Sequence, residues 1–438
     1  MLLSPHQNPD ADRVSTIPLM SAEIASSCPL PEFPSEIWLD IFRLATCIPF
    51  ETDISVNIVE PGLFCSSDHY QLEAVEKVLP LRRAVVQVSR RFYQIGTEVL
   101  YTAFHANPLG IRHPYRRLSL FSDLLVLRPE LGRFVKRLSL VWSRHNEEKN
   151  YKIISHCPNM FIFSSPQYHL YNEGLRPWWG RGLPKTIRSF DAEVYKIPVN
   201  DILSLLEMLP HIEVLHLGAL IGHLVPHAPV CLAALRILSI YYCVFHFNIS
   251  LSPPLSPVMQ LPSLTTLATD VLPVHAIPLD ALRGLEYFQV SCQPKYRGHL
   301  SDYFDNLRYL EILTDYIGFW DWLTYFPLHQ LECITVKPAY HTLERWGEAF
   351  RVDFLMPLDA KAMPKLKRFE LVWGTTGIYG YYHEKIYRTG IGKYFIGLFE
   401  ILVRRFEQRN VLFVEKRGIE IYPRFQPVHD VLIACKRP

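Results

Sequence analysis

A chain of 438 residues that is 49% hydrophobic and 20% charged has the material for a large core or for two domains, which excludes a disordered protein. Forty-five Lys and Arg against 43 Asp and Glu leave a formal net charge of +2, so no broad basic field supports bulk binding to nucleic acid or to an acidic membrane. No apolar run approaches the roughly 18 residues that span a bilayer, and the start MLLSPHQNPDADR lacks the parts of a signal peptide. Nine cysteines, an odd number with no CxxC pair, read as reduced thiols of a cytoplasmic or nuclear protein.

Residues 1–29 are polar and proline-spotted and are expected to be a disordered tail. A helix is predicted next, over FPSEIWLDIFRLA. Pro34 suits a first helical turn because it has no donor to lose, and Ser35 and Glu36 set an oxygen and a negative charge at the positive end of the helix. Ile37, Ile41, Leu44 and Ala45 fall on one stripe at helical spacing, and Trp38 and Phe42 on a second beside it. That is more apolar surface than one short helix hides, so it needs a partner in this chain or in another. Residues 46–78 lose periodicity and read as an insertion. A second amphipathic unit covers residues 79–104, with Leu81, Val85, Val88, Phe92, Ile95, Val99 and Leu100 at helical spacing and Gly96 expected to interrupt or bend it.

From residue 131 onward a unit recurs: apolar, two residues, apolar, two residues, then apolar-x-apolar. It reads LPHIEVLHL at 209–217, LAALRILSI at 232–240, LPSLTTLAT at 261–269, LRGLEYFQV at 282–290, FDNLRYLEI at 304–312, LHQLECITV at 328–336 and MPKLKRFEL at 363–371. Weaker copies stand at 132–140, 157–165 and 184–192. Most copies are about 21 to 29 residues apart, the period of leucine-rich repeats. The alternating end is a short strand with one face inward, and helical patterns at 118–129, 199–210 and 318–327 precede several copies. One such layer cannot bury its apolar face alone, so layers stack into a solenoid. The expected class is α/β (α+β at the N-terminus), with parallel strands on the concave face. A helix at 392–410 and a strand at 411–415 are expected to cap its open end.

The residues flanking the inward positions of each strand form rows on the other sheet face. One runs Val214, Ile237, Thr266, Tyr287, Tyr309, Cys333, Arg368, and the next Asp191, His216, Ser239, Ala268, Gln289, Glu311, Thr335, Glu370. Exposed tyrosines beside charge are common contact material, so Tyr241, Tyr287, Tyr309 and Glu311 are the candidate target-binding residues.

No P-loop, HExxH, GxSxG or GxGxxG motif occurs, so no catalytic residue, metal or cofactor is expected. His145 near Glu147 and Glu148 reads as a solvated charged turn, and His211 and His216 as surface residues. Trp178 and Trp179 in RPWWGRG read as packing an inter-repeat loop, with an exposed aromatic binding spot as the alternative.

Pro34, Glu36, Ile37, Ile41, Phe42 and Leu44, followed by Val88, Ser89, Arg90, Phe92 and Tyr93, together resemble the two halves of an F-box, in the style of the mushroom-type fungal F-box-like family, where a loop often splits the halves. The resemblance covers residues 31–104. It implies that residues 30–104, with 46–78 a dispensable insertion, form an F-box-like domain ahead of a repeat solenoid at 105–391 and a cap at 392–438. It further implies docking to a Skp1-like adaptor of a cullin-RING ubiquitin ligase through Pro34, Glu36, Ile37, Trp38, Ile41, Phe42, Leu44, Val88, Phe92 and Tyr93, with the Trp38–Phe42 strip outward. An unidentified target protein would then be held by the repeats. The competing expectation is a leucine-rich-repeat scaffold with no ligase role, its N-terminal helices serving as a solenoid cap.

Overall fold

A computed structural model of the chain describes residues 33–46, 48, 54, 67–106, 114–140, 146–165, 182–192, 197–217, 220–221, 230–240, 259–269, 277–292, 304–314, 328–338, 363–373, 404 and 406–417. Tyr241, Trp178, Trp179, the tail and the helical pattern at 318–327 lie outside them.

Among the described residues three helices come first. In α1 (Ser35–Thr46) the Pro34 carbonyl accepts from the backbone N–H of Ile37 at 3.1 Å and of Trp38 at 3.3 Å, and Arg43 sits in the last turn. The unit expected over 79–104 is two helices: α2 (Ser67–Gln87) and α3 (Arg90–Tyr101). Ser89 separates them as an N-cap whose Oγ accepts from Phe92 N–H at 3.1 Å. Helix α2 begins inside the stretch read as aperiodic and runs through Pro80. Gly96 does not interrupt α3. A Cβ there would stand 3.0 Å from Val85 Cγ1 and 3.1 Å from Val86 Cγ1, so glycine lets α3 approach α2 closely.

A sheet follows. Its 12 strands lie in chain order, every neighbouring pair parallel. They are β1 (Ala103–His105), β2 (Arg137–Ser139), β3 (Ile162–Ser165), β4 (Ser189–Ala192), β6 (Val214–Leu217), β9 (Ile237–Ile240), β11 (Thr266–Thr269), β12 (Tyr287–Cys292), β13 (Tyr309–Thr314), β14 (Cys333–Pro338), β15 (Arg368–Trp373) and β16 (Leu412–Arg417). Between them β5 (Ile197–Pro198) pairs with β7 (Leu220–Ile221), and β8 (Val230–Cys231) with β10 (Met259–Gln260). Each copy of the repeat, the weaker ones included, places its alternating end in a sheet strand. Described helices on the connections are α4 (Pro114–Leu127), a 3₁₀ turn (Pro129–Phe134), α5 (Glu147–His156), α6 (Val199–Met208) and α7 (Leu279–Arg283). Glu147 and Glu148 thus open a helix instead of lying in a turn.

The spacing of the repeat has a hydrogen-bond origin. The carbonyl of the first apolar residue accepts from the N–H of the second, three positions on: Leu232 from Leu235 at 3.1 Å, Leu261 from Leu264 at 3.2 Å, Leu328 from Leu331 at 3.1 Å and Met363 from Leu366 at 3.3 Å. Both ends of this turn enter the core, as do Leu267, Phe288, Leu310, Ile334 and Phe369 of the strands, giving one contiguous apolar cluster from Phe104 to Val411. Just ahead of several strands, charges pair between neighbours. Arg188 pairs with Glu213, and Glu332 takes both Arg308 and Lys367 at 2.8 Å. Such exposed pairs stabilise little individually, but a slipped strand would part each charge from its partner. The whole is an α/β protein with N-terminal helices and a long all-parallel sheet, compatible with a leucine-rich-repeat-type solenoid.

Candidate docking site

The helical unit is built around α1. Its aromatic strip turns inward: Trp38 lies 4.8 Å from Phe92 and 5.9 Å from Phe42, and Phe42 lies 5.0 Å from Phe92 between ring centroids. Arginines of α2 and α3 hold both ends of α1. Arg91 Nη2 donates to the Phe33 carbonyl at 2.6 Å, and the buried Arg82 donates through Nη2 to the Thr46 carbonyl at 2.8 Å, a cation at the negative end of the helix. In the last turn, Arg43 Nη2 donates to Glu98 Oε1 at 2.6 Å, a bond that raises the arginine's pKa further.

These contacts correct one expectation. The strip left outside is not Trp38–Phe42, since Phe42 is only 5% exposed and Trp38 is half-buried. It is the neighbouring stripe, with Ile37 45%, Ile41 39% and Leu44 82% exposed. Trp38 and Phe42 face Phe92, and a turn of about 100° per residue carries the adjacent aliphatic stripe to solvent. Pro34, Glu36, Val88 and Tyr93 are also exposed, whereas Phe92 is half-buried. Tyr93 Oη accepts from Arg128 Nη1 at 2.8 Å, which ties α3 to the start of the 3₁₀ turn. Helix α3 packs against that turn and runs almost directly into β1, while α1 packs on α2 and α3.

The second sheet face has the rows read from the sequence. Val214, Ile237, Thr266, Tyr287, Tyr309, Cys333 and Arg368 are in register, as are Asp191, His216, Ser239, Ala268, Gln289, Glu311, Thr335 and Glu370. The exposure expected of them is not found. Tyr287 is 7% exposed and Glu311 0%, and the Tyr287 hydroxyl donates to Glu311 Oε2 at 2.9 Å inside the protein. Tyr309 is intermediate. His216, expected at the surface, is half-buried, and burial pushes its imidazole down to about 4, so it is neutral at pH 7. His211 is exposed.

Among the described residues no group of His, Cys, Asp or Glu is arranged to hold a metal ion, and no helix is long and apolar enough to cross a membrane. No protein-family model matches the chain, and no curated protein matches it either.

Proposed function

We propose that this chain is the substrate-recognition subunit of an SCF-type ubiquitin ligase, docking a Skp1-like adaptor through α1 and holding a target protein on its repeats. One observation carries the reading: the outward stripe Ile37, Ile41 and Leu44 on a helix whose ends are held by arginines and whose other apolar side is already filled. If the helices were only a cap, their apolar surface would be used against the first repeat. Here α3 packs on the 3₁₀ turn and leads into β1, while α1 packs on α2 and α3 and keeps its aliphatic side chains in solvent. An aliphatic stripe on a rigid helix suits a hydrophobic groove on a helical adaptor. The protein performs no bond chemistry in this reading. It raises the effective concentration of a target lysine near the ubiquitin-loaded enzyme.

The test is calorimetric titration of the full chain with a Skp1-like adaptor. Wild-type protein binds at micromolar concentration or tighter. Ile37→Asp with Ile41→Asp, which sets two charges in the desolvated contact, lowers affinity at least a hundredfold without lowering the melting temperature. Absence of wild-type binding, or equal binding by the double variant, refutes the reading.

A further inference from the structure

One short pattern occurs in two places along the chain: Arg116-Arg117-Leu118-Ser119-Leu120 and Lys136-Arg137-Leu138-Ser139-Leu140. Cations two and three residues ahead of a serine, with an apolar residue after it, are the charge pattern that an acidic kinase cleft reads. The fold treats the two copies differently. Ser139 lies in β2, where Arg137 is 5% and Ser139 8% exposed. Ser119 is half-buried on α4, with Arg116 and Leu120 exposed on either side of it. Helix α4 begins at Pro114, so this copy falls in its first two turns, where a helix end opens at least cost. Of residues 116–120, Leu118 is the one that enters the main core.

The Ser119 hydroxyl already has an ammonium group aimed at it. Lys149 of α5 donates through Nζ to Ser119 Oγ at 2.7 Å. Lys149 meets a neutral acceptor there, and a phosphate on the same oxygen would offer it a doubly charged one. Arg116, three residues back on the same side of α4, is exposed and makes no ion pair among the described residues. Lys152, on the same side of α5 as Lys149, is held by Glu148 at 2.9 Å and interacts with Asp123, one turn beyond Ser119. The cations Arg116, Lys149 and Lys152 thus outnumber the carboxylates Asp123 and Glu148 around this serine.

We propose that Ser119 is a phosphorylation site for an arginine-directed serine kinase, and that Lys149 holds the resulting phosphate and so fastens α4 to α5. In the transfer, Ser119 Oγ attacks the γ-phosphorus of ATP. The new O–P bond forms as the bond to the β,γ-bridging oxygen breaks, ADP leaves, and the hydroxyl proton passes to a carboxylate of the kinase. The site lies off α1, and its test is independent of adaptor binding.

The full-length protein is incubated with magnesium, ATP and the catalytic subunit of cyclic-AMP-dependent kinase, and phosphate is located by mass spectrometry. Phosphate appears at Ser119 at least about tenfold faster than at Ser139, whose labelling would need the sheet to open. The Ser119→Ala protein loses the main labelled position. Phosphorylated wild type melts at a higher temperature than the unmodified protein, and the Lys149→Gln protein, phosphorylated to the same extent, loses that rise. No phosphate at Ser119, equal labelling of Ser139, or a rise that is absent from wild type or equal in the two proteins overturns the proposal.

Discussion

The helical unit and the sheet treat the same residue types in opposite ways. On α1 the aromatics Trp38 and Phe42 turn inward and the aliphatics Ile37, Ile41 and Leu44 stay outside. In the sheet, aliphatics are buried on both faces: Leu215 and Leu238 toward the core, Val214 and Ile237 away from it. A buried aliphatic residue is accounted for by stability. An aligned exposed row on a well-anchored helix is not, and that contrast makes α1 the informative surface.

The sheet side of this comparison breaks most completely at Gly132. A Cβ there would lie 1.8 Å from the His156 carbonyl oxygen, a backbone atom that cannot move aside alone, so Gly132→Ala should cost more than ~3 kcal/mol. Urea unfolding followed by circular dichroism should show a lowered midpoint or no cooperative transition. Phe288→Ala removes a fully buried ring of β12 packed 4.8 Å from Phe304 and should cost about 3–5 kcal/mol in the same assay. A smaller effect distinguishes the second sheet face by pH. The folded pKa of His216, about 4, lies below the ordinary 6.5, so its contribution to stability is complete above about pH 6.5 and is lost as pH falls toward 4. The difference in urea midpoint between wild type and His216→Gln should shift in favour of the variant across that window. Smallest of all is the triple change of Ile37, Ile41 and Leu44 to Ser. These side chains are exposed, so stability should move by less than about 1 kcal/mol, and a larger loss would mean that the stripe serves the fold.

Much of the sheet was legible because two local rules fix it. The hydrogen-bonded turn sets the three-residue spacing of the apolar pair, and alternation sets which strand residues align. Tyr287 opposite Tyr309 and Gln289 opposite Glu311 follow from those rules alone. The burial of that face did not follow. Ile54, distant in sequence from Ile162, contributes to it, and no local pattern announces such a contact. Helix α2 before residue 79 and helix α5 escaped because neither carries a clear apolar stripe; EEKNYKIISH begins with charge. At the candidate site the two stripes of α1 were legible, but which one faces α3 depends on Phe92, on another helix. Gly96 looked like a break for the same reason: its use is set by Val85 and Val86 on α2.

The central claim is that α1 is a docking helix and not part of a cap. Carbene footprinting of the full chain, alone and with an equimolar Skp1-like adaptor, tests it most directly by reading side-chain accessibility. The account predicts that labelling of Ile37, Ile41 and Leu44 falls severalfold in the presence of the adaptor while labelling of exposed residues beyond the helical unit, such as Leu279, stays constant. Unchanged labelling of the three α1 residues under saturating adaptor would contradict it.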